Sequence, residues 1–419
     1  MGGKTTLPIT FSIPLLVVLM FHLVCESMVI PVLVPSIVSP ISVEHDMLIG
    51  ASEAMRKFAY GVALASYPII LFFCSPIIGS LSDFYGKRKV LIWMLIISVV
   101  GCIIQGIALG ILSFFAFLIG RVIVGATAGV DGTIQAALVE KCATENQKNF
   151  YLGASLFAMC VGVMIGPAFA GFFISENSSE LEWALPFLIA GALFVLSAIT
   201  LYFSMPKHNT TSLKVQKNTF SLLTGLTDIV VLFKDTTSRR LLRIFYLNQI
   251  AAGAFLAVMP IILASQSGFS AREVAYYLSI EGCVAGVMCA IVGPFSLKKF
   301  SSKSLLIFSM GLSVLTVLVP IITTNYFAMW GLSVLHSMGF ALAYYIVVAM
   351  FSESSTDEKR GWTLSVVSSF WGLTCGLGLA LCGVLSGYSN IACVCGCLAL
   401  CVGAFYLATR FGGINKQPR

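Results

Sequence analysis

The chain has 419 residues, of which 58% are hydrophobic and only 10% charged, with a mean hydropathy of +0.96. Soluble domains carry about 25% charged residues, so this composition excludes a water-soluble fold and requires an integral membrane protein. The net charge of +7 reflects bases placed between apolar segments, and nucleic acid is not an expected partner.

A membrane-crossing helix needs about 20 predominantly apolar residues. In chain order, twelve segments qualify, at approximately 9–38, 58–78, 90–111, 114–139, 150–174, 184–205, 241–266, 273–296, 304–322, 327–351, 362–386 and 391–410. The first is too long for the apolar core of a signal peptide and lacks a small-residue cleavage pattern, so no cleaved signal is expected. If the N-terminus is cytoplasmic, 20 of the 25 lysines and arginines fall on the cytoplasmic side. Only Arg56, Lys57 and Arg272 fall outside, and Arg121 and Arg243 lie within spans. That bias fixes the expected orientation, with both termini cytoplasmic.

The longest connection, 206–240, follows span six. It opens polar and basic, as "PKHNTTSLKVQKN", then places Leu223, Leu226, Val230 and Phe233 at helical spacing. This predicts a short helix that either lies on the inner membrane face or packs on the bundle. The expected division is a six-helix bundle over 1–205, a linker over 206–240, and a second bundle with a short tail over 241–419. An internal repeat supports it. "GSLSDFYGKRKVLI" (Gly79 to Ile92) recurs weakly as "GPFSLKKFSSKSLL" from Gly293, an offset of 214, and the same offset carries Gly125 to Gly339 and Gly162 to Gly376. The fold class expected is an all-α membrane protein of twelve helices in two pseudo-symmetric halves.

The 13 cysteines lie almost all within apolar runs, and the alternating Cys393, Cys395 and Cys397 do not match zinc-site spacing. They read as small membrane-helix residues, and no metal is expected. There is no G-x-x-x-x-G-K-(S/T) phosphate loop and no H-E-x-x-H, so ATP is not the expected direct energy source. Neither a paired nucleophile and base nor a metal cluster is present to suggest an enzyme. "NSS" at Asn177 has the glycosylation pattern, in an outer loop that looks short.

Three motifs stand out. The first is "GSLSDFYGKRK" between spans two and three, the second "RVIVGATAG" in span four, the third "GVMIGPAFAG" (Gly162 to Gly171) in span five. Together they resemble the major facilitator superfamily, in particular its drug:proton antiporters of the tetracycline-efflux type. The first is similar to the family's G-x-L-x-D-(R/K)-x-G-(R/K)-(R/K) loop, the second to R-x-x-x-G-x-x-x-G, and the third to the antiporter signature G-x-x-x-G-P. The chain departs from these patterns. Phe84 replaces a base, His22 stands where the tetracycline-efflux pattern has an acid, and Asp131 has no counterpart there. The resemblance implies two halves that rock around a central substrate site, proton-coupled export of a small amphipathic molecule, and no cofactor beyond the proton gradient. It further implies a monomer in a bacterial inner membrane. Uptake of a nutrient, such as an amino acid or an iron-chelating metabolite, is the alternative within the same class. A transporter-like sensor is a further reading, although no soluble signalling domain fits the linker or tails.

Charge inside hydrocarbon is costly, so ionisable residues within spans are functional candidates. Glu26 follows His22 by four residues, on one helix face. Burial disfavours the ionised carboxyl, which can then load and release a proton. A buried guanidinium needs an acid, and Glu26 is the expected partner of Arg121, because the family's spans one and four both line its cavity. The family also gives that arginine a role in proton coupling. Asp131 lies ten residues beyond Arg121, about 15 Å along the axis, and with Gln135 forms an expected polar patch for substrate. Glu281 in span eight, His336 in span ten beside Ser333 and Ser337, Asn248, Gln249 and Tyr344 are further cavity candidates. Gly162, Gly166, Pro167 and Gly171 are expected to provide close packing and a kink.

The cytoplasmic loop is expected to act as a gate. Gly79 would permit close helix approach and Gly86 the tight turn. Asp83 would meet the helix N-terminus near Gly361, Lys87 would pair with Glu140, and Arg88 completes the basic cluster. Both contacts are expected to break when the cytoplasmic side opens.

Overall fold

The computed structural model describes residues 9–40, 42–142, 144–174, 179–205, 236–354 and 360–412. The predicted linker helix lies outside these residues. Twelve helices are long and apolar enough to cross a membrane: α1 (Thr10–Val38), α2 (Glu53–Ser82), α3 (Lys87–Gly110), α4 (Phe114–Glu140), α5 (Phe150–Phe173), α6 (Leu181–Ser204), α7 (Ser238–Gln266), α8 (Ala271–Lys299), α9 (Ser302–Ile322), α10 (Tyr326–Glu353), α11 (Ser369–Tyr388) and α12 (Asn390–Arg410). No strand occurs among the described residues.

Local chemistry sets where the helices begin. Ser52, Ser113, Thr144 and Ser301 each cap a helix by accepting a bond from a backbone N–H in the first turn. Ser179 and Ser270 do so within reciprocal capping boxes with Glu182 and Glu273. Such caps satisfy N–H groups that the helix itself leaves free. Gly86 makes the turn from α2 into α3 with φ 89°, a conformation glycine adopts without steric cost.

Three spans carry irregular turns. α1 winds as a π-turn over Val34–Val38, α8 as a π-turn over Met288–Val292, and α4 is interrupted after Thr127 and resumes at Val130. Such irregularities recur at functional sites, and the interruption in α4 falls between Arg121 and Asp131.

Packing repeats between the halves. The pairs α1 with α5, α1 with α6, α3 with α6 and α2 with α4 have their counterparts in α7 with α11, α7 with α12, α9 with α12 and α8 with α10. The halves meet along two seams, α2 against α11 and α5 against α8. Glycines let these helices touch. A Cβ on Gly61 would lie 2.5 Å from the Gly383 backbone, and one on Gly282 would lie 2.9 Å from the Met164 nitrogen.

The face bearing the start of α1 and the end of α12 differs from the opposite, distal face. Gly61–Gly383 and Gly171–Ala275 join the halves near the distal face. One hydrophobic core runs through both halves there, while the second half has a separate core (Leu241, Phe245, Leu306, Ile346, Phe351) toward the terminal face. The described contacts thus join the halves closely near the distal side, and further along the same seam Gly372 meets Leu71 and Phe370 of α11 meets Phe72 of α2.

A folded loop covers the distal end of the first half. Arg56 makes a two-pronged contact with Asp46 (2.7 and 2.6 Å) and also donates to the carbonyls of Ile37, Leu48 and Ala51. His45 stacks on Trp183 at 4.3 Å between ring centres.

Candidate functional site

The polar centre of the first half is built by α1, α2 and α4. Arg121 is 1% exposed, and each of its three side-chain nitrogens is engaged. Nη1 and Nη2 donate to the two oxygens of Glu26 (2.6 and 3.0 Å), Nε donates to the Ala63 carbonyl at 3.2 Å, and Nη2 also reaches the Leu64 carbonyl. The Tyr67 ring lies 5.1 Å from the guanidinium carbon, within cation–π range. Two-pronged pairing satisfies a buried guanidinium as a single contact cannot. Glu26 itself is 22% exposed, so the acid of the pair is less enclosed than the cation behind it.

One turn earlier on α1, His22 is fully buried. Its Nδ1 lies 2.9 Å from an oxygen of Asp131, off the line of a hydrogen bond, and neither ring nitrogen has a hydrogen-bond partner. Phe194 and Tyr67 pack around the ring. α1 therefore holds α4 at two depths, Glu26 to Arg121 and His22 to Asp131. The spacing fits, because four residues on α1 and ten on an interrupted α4 present both pairs on facing sides. Asp131 and Gln135, the expected substrate patch, share the helical segment Val130–Glu140. Asp131 faces His22, and the Gln135 amide approaches the Met159 sulfur at 3.6 Å.

In the second half, His336 Nδ1 meets Glu281 Oε1 at 2.8 Å, and Ser337 donates to the Glu281 carbonyl at 2.9 Å. Both members are buried, and Phe255 and Phe340 flank the imidazole at 4.3 and 4.6 Å. Asn248 and Gln249 are both buried, each with an amide atom lacking a partner. Tyr344 packs on Phe245.

The α5 motif presses on α1. A Cβ on Gly162 would lie 2.4 Å from the Met20 carbonyl, and one on Gly166 would lie 2.0 Å from Ser27 Oγ and 2.5 Å from the Val24 carbonyl. These are the turns of α1 that carry His22 and Glu26. Gly171 faces Ala275 of α8 instead. Pro167 is accommodated within an unbroken helix from Glu145 to Phe173.

In the loop motif the expected contact of Lys87 with Glu140 is present, at 2.5 Å, and it joins α3 to α4 within one half. Arg88 donates to the Tyr202 carbonyl at 2.6 Å and stacks on that ring, tying α3 to α6. A Cβ on Gly79 would meet no described atom within 4 Å, so no close helix approach occurs there among the described residues. The side chains of Asp83 and of the residues around Gly361 lie outside the described set, and the expected contact between them does too.

Several participants escaped the sequence reading. The Ala63 carbonyl is a backbone acceptor and has no side-chain signal. Tyr67 is one aromatic among many in the spans. The pairing of Glu281 with His336 requires the relative depth of α8 and α10, although each residue was singled out as an ionisable group in hydrocarbon. Among the described residues no group of three or more histidine, cysteine, aspartate or glutamate side chains could hold a metal.

Comparison with known proteins places this geometry. The family model described as Major Facilitator Superfamily matches residues 15–319. The chain is 24% identical over 323 residues to the class C tetracycline resistance protein of Escherichia coli, covering 75% of this chain and 76% of that one. It is 23% identical over 329 residues to the quinolone resistance protein NorA of Staphylococcus aureus (strain COL), covering 78% and 80%. Among solved structures, a bacterial homologue of the human lysosomal transporter Spinster, in an inward-facing and unoccupied conformation, superposes with a TM-score of 0.71 at 16% identity, over 97% of this chain and 98% of that one. With twelve spans in two packed halves and a family match over most of its length, the chain belongs to the Major Facilitator Superfamily and is a multi-pass membrane transporter rather than an enzyme.

Proposed function

We propose that this transporter exports a small amphipathic molecule in exchange for protons, as a monomer in a bacterial inner membrane. The observation that carries the reading is the partly exposed Glu26 side chain, whose carboxylate is clamped to a fully buried Arg121. A guanidinium does not release its proton in a protein, so the charge of this pair can change only at Glu26. Protonating Glu26 removes the anion from a two-pronged contact, and no other described carboxylate pairs with Arg121. The described polar contacts of α1 with α4 then reduce to the approach of His22 to Asp131. Because Gly162 and Gly166 seat α1 directly on α5, and α5 forms an inter-half seam, loosening α1 is transmitted to the surface along which the halves rock.

The export direction is supported by the α5 signature and by relatives named for tetracycline and quinolone resistance. Tetracycline and a quinolone are therefore the first probes. In proteoliposomes with an imposed pH gradient, the native chain is expected to accumulate a probe, and Glu26→Gln to lose gradient-driven accumulation. Full retention by Glu26→Gln would remove Glu26 from coupling.

A further inference from the structure

The Glu281–His336 pair has no part in the α1–α4 clamp. It occupies a related place in the other half. The repeat offset of 214, set by Gly79 and Gly293, carries Tyr67 onto Glu281 and Arg121 to within one residue of His336. The structure repeats the relation in space, with Tyr67 of α2 against Arg121 of α4 and Glu281 of α8 against His336 of α10. Where the first half holds a permanent cation, the second holds a carboxyl group and an imidazole.

The surroundings enclose the pair. On its own helix, Tyr277 faces the Glu281 carboxylate from one turn away. α10 contributes His336 and Ser337, α7 the Phe255 ring, and α5 the backbone of Val163 and Met164 and the Cys160 side chain, which packs one turn further along at Gly286. Among the described residues no lysine, arginine or second carboxylate pairs with Glu281 or His336. The pair therefore has no fixed countercharge, and His336 Nε2 is buried with no partner. A net charge in such surroundings is disfavoured. One proton distinguishes the two charge states of the pair. With neutral imidazole and ionised carboxylate it is a net anion, and one added proton, on either group, makes it net neutral.

Its position gives that proton a consequence. The residue next to Glu281 is Gly282, whose backbone touches Val163 and Met164 of α5 across the seam between halves. The opposite side of α5 seats the Glu26-bearing turns of α1 through Gly162 and Gly166. α5 thus lies between two ionisable pairs, one in each half.

We propose that Glu281 and His336 form a second proton-loading site, located in the second half and bearing on the α5–α8 seam. The proposal rests on proton-coupled transport, and adds that the protein binds a further proton away from Glu26. The test is infrared difference spectroscopy of the full chain in lipid nanodiscs, titrated over pH without substrate. The carboxyl band reports each protonated carboxyl directly. The native protein is expected to show separate Glu26 and Glu281 components, with Asp131→Asn identifying the contribution of the remaining carboxyl in the polar centre of the first half. Glu26→Gln should remove one, and Glu281→Gln the other. His336→Gln should leave both carboxyls present but move the midpoint of the Glu281 component by about one pH unit or more. Glu281→Asp, which keeps the carboxyl, should retain a titrating band. An unchanged carboxyl titration in Glu281→Gln overturns the second site. If Glu281→Gln does not fold, an unchanged titration in His336→Gln does the same. The Glu26 component is read independently, so losing the second site leaves coupling through Glu26 standing, and a silent Glu26 with a titrating Glu281 would do the reverse.

Discussion

The two halves solve the problem of buried charge in opposite ways. In the first, Arg121 supplies a charge that cannot be lost, and five polar contacts from Glu26, Ala63, Leu64 and the Tyr67 ring hold it in place. Its acid is partly exposed. In the second half, Glu281 and His336 are both buried. On the proposed reading, protonation of the first pair changes helix grip and protonation of the second changes the net charge beside the inter-half seam. Similar packing of α2 on α4 and α8 on α10 therefore carries two different electrostatic devices.

The largest predicted difference between the halves is in stability. Arg121→Ala leaves Glu26 without its cation and frees two backbone carbonyls, and should cost about 3–5 kcal/mol, read as thermal unfolding of the purified protein. Arg121→Lys should recover only part of it, because an ammonium cannot make the two-pronged contact. Next comes the wedge between α1 and α5. Gly166→Val should cost about 1–3 kcal/mol by overpacking, because even its Cβ collides with Ser27 and Val24, whereas Gly79→Ala, in open space, should stay within about 0.5 kcal/mol of the native chain. His336→Ala should cost about 1–2 kcal/mol, well below Arg121→Ala. Equal losses at the two sites would erase the asymmetry.

Smaller effects come from ion pairs near or beyond the membrane core. Hydrogen bonds from Arg56 hold the Asp46 carboxyl below the usual carboxylate range. A folded-state value depressed in this way stabilises the protein above the unfolded value of about 3.9, and the contribution is lost as pH falls through the folded value. Asp46→Asn should therefore cost about 1 kcal/mol at neutral pH, and unfolding curves of variant and native protein should converge in strong acid. The smallest effect is expected at Lys87–Glu140, where Glu140 is 64% exposed. Glu140→Gln should cost less than about 1 kcal/mol, and salt should shrink the difference further.

The twelve spans were legible because hydrophobicity over about 20 residues is a one-dimensional signal, and the polar loops between them interrupt it clearly. Glu26 with Arg121 was legible for a different reason. A buried guanidinium needs an anion, and the spans contain few. Asp131 shows where such reasoning stops. Helical spacing placed Gln135 on its face but said nothing of which helix lay opposite at that depth, and His22 of α1 lies there. Glu281 and His336 were each visible as charge in hydrocarbon, while their pairing depended on the register of α8 against α10. The glycines of α5 announced close packing, yet Gly162 and Gly166 face α1 and Gly171 faces α8, a division that only the three-dimensional arrangement reveals. Lys87 and Glu140 meet, but assigning them to one half changes what their contact can do.

Coupling through Glu26 is tested most directly by the proton itself. Purified protein in proteoliposomes, loaded with a pH-sensitive dye and given tetracycline or a quinolone, is expected to show probe-driven proton movement with the native chain. The movement should vanish with Glu26→Gln, while probe counterflow without a pH gradient persists. Undiminished probe-driven proton movement by Glu26→Gln would contradict the clamp as the coupling device.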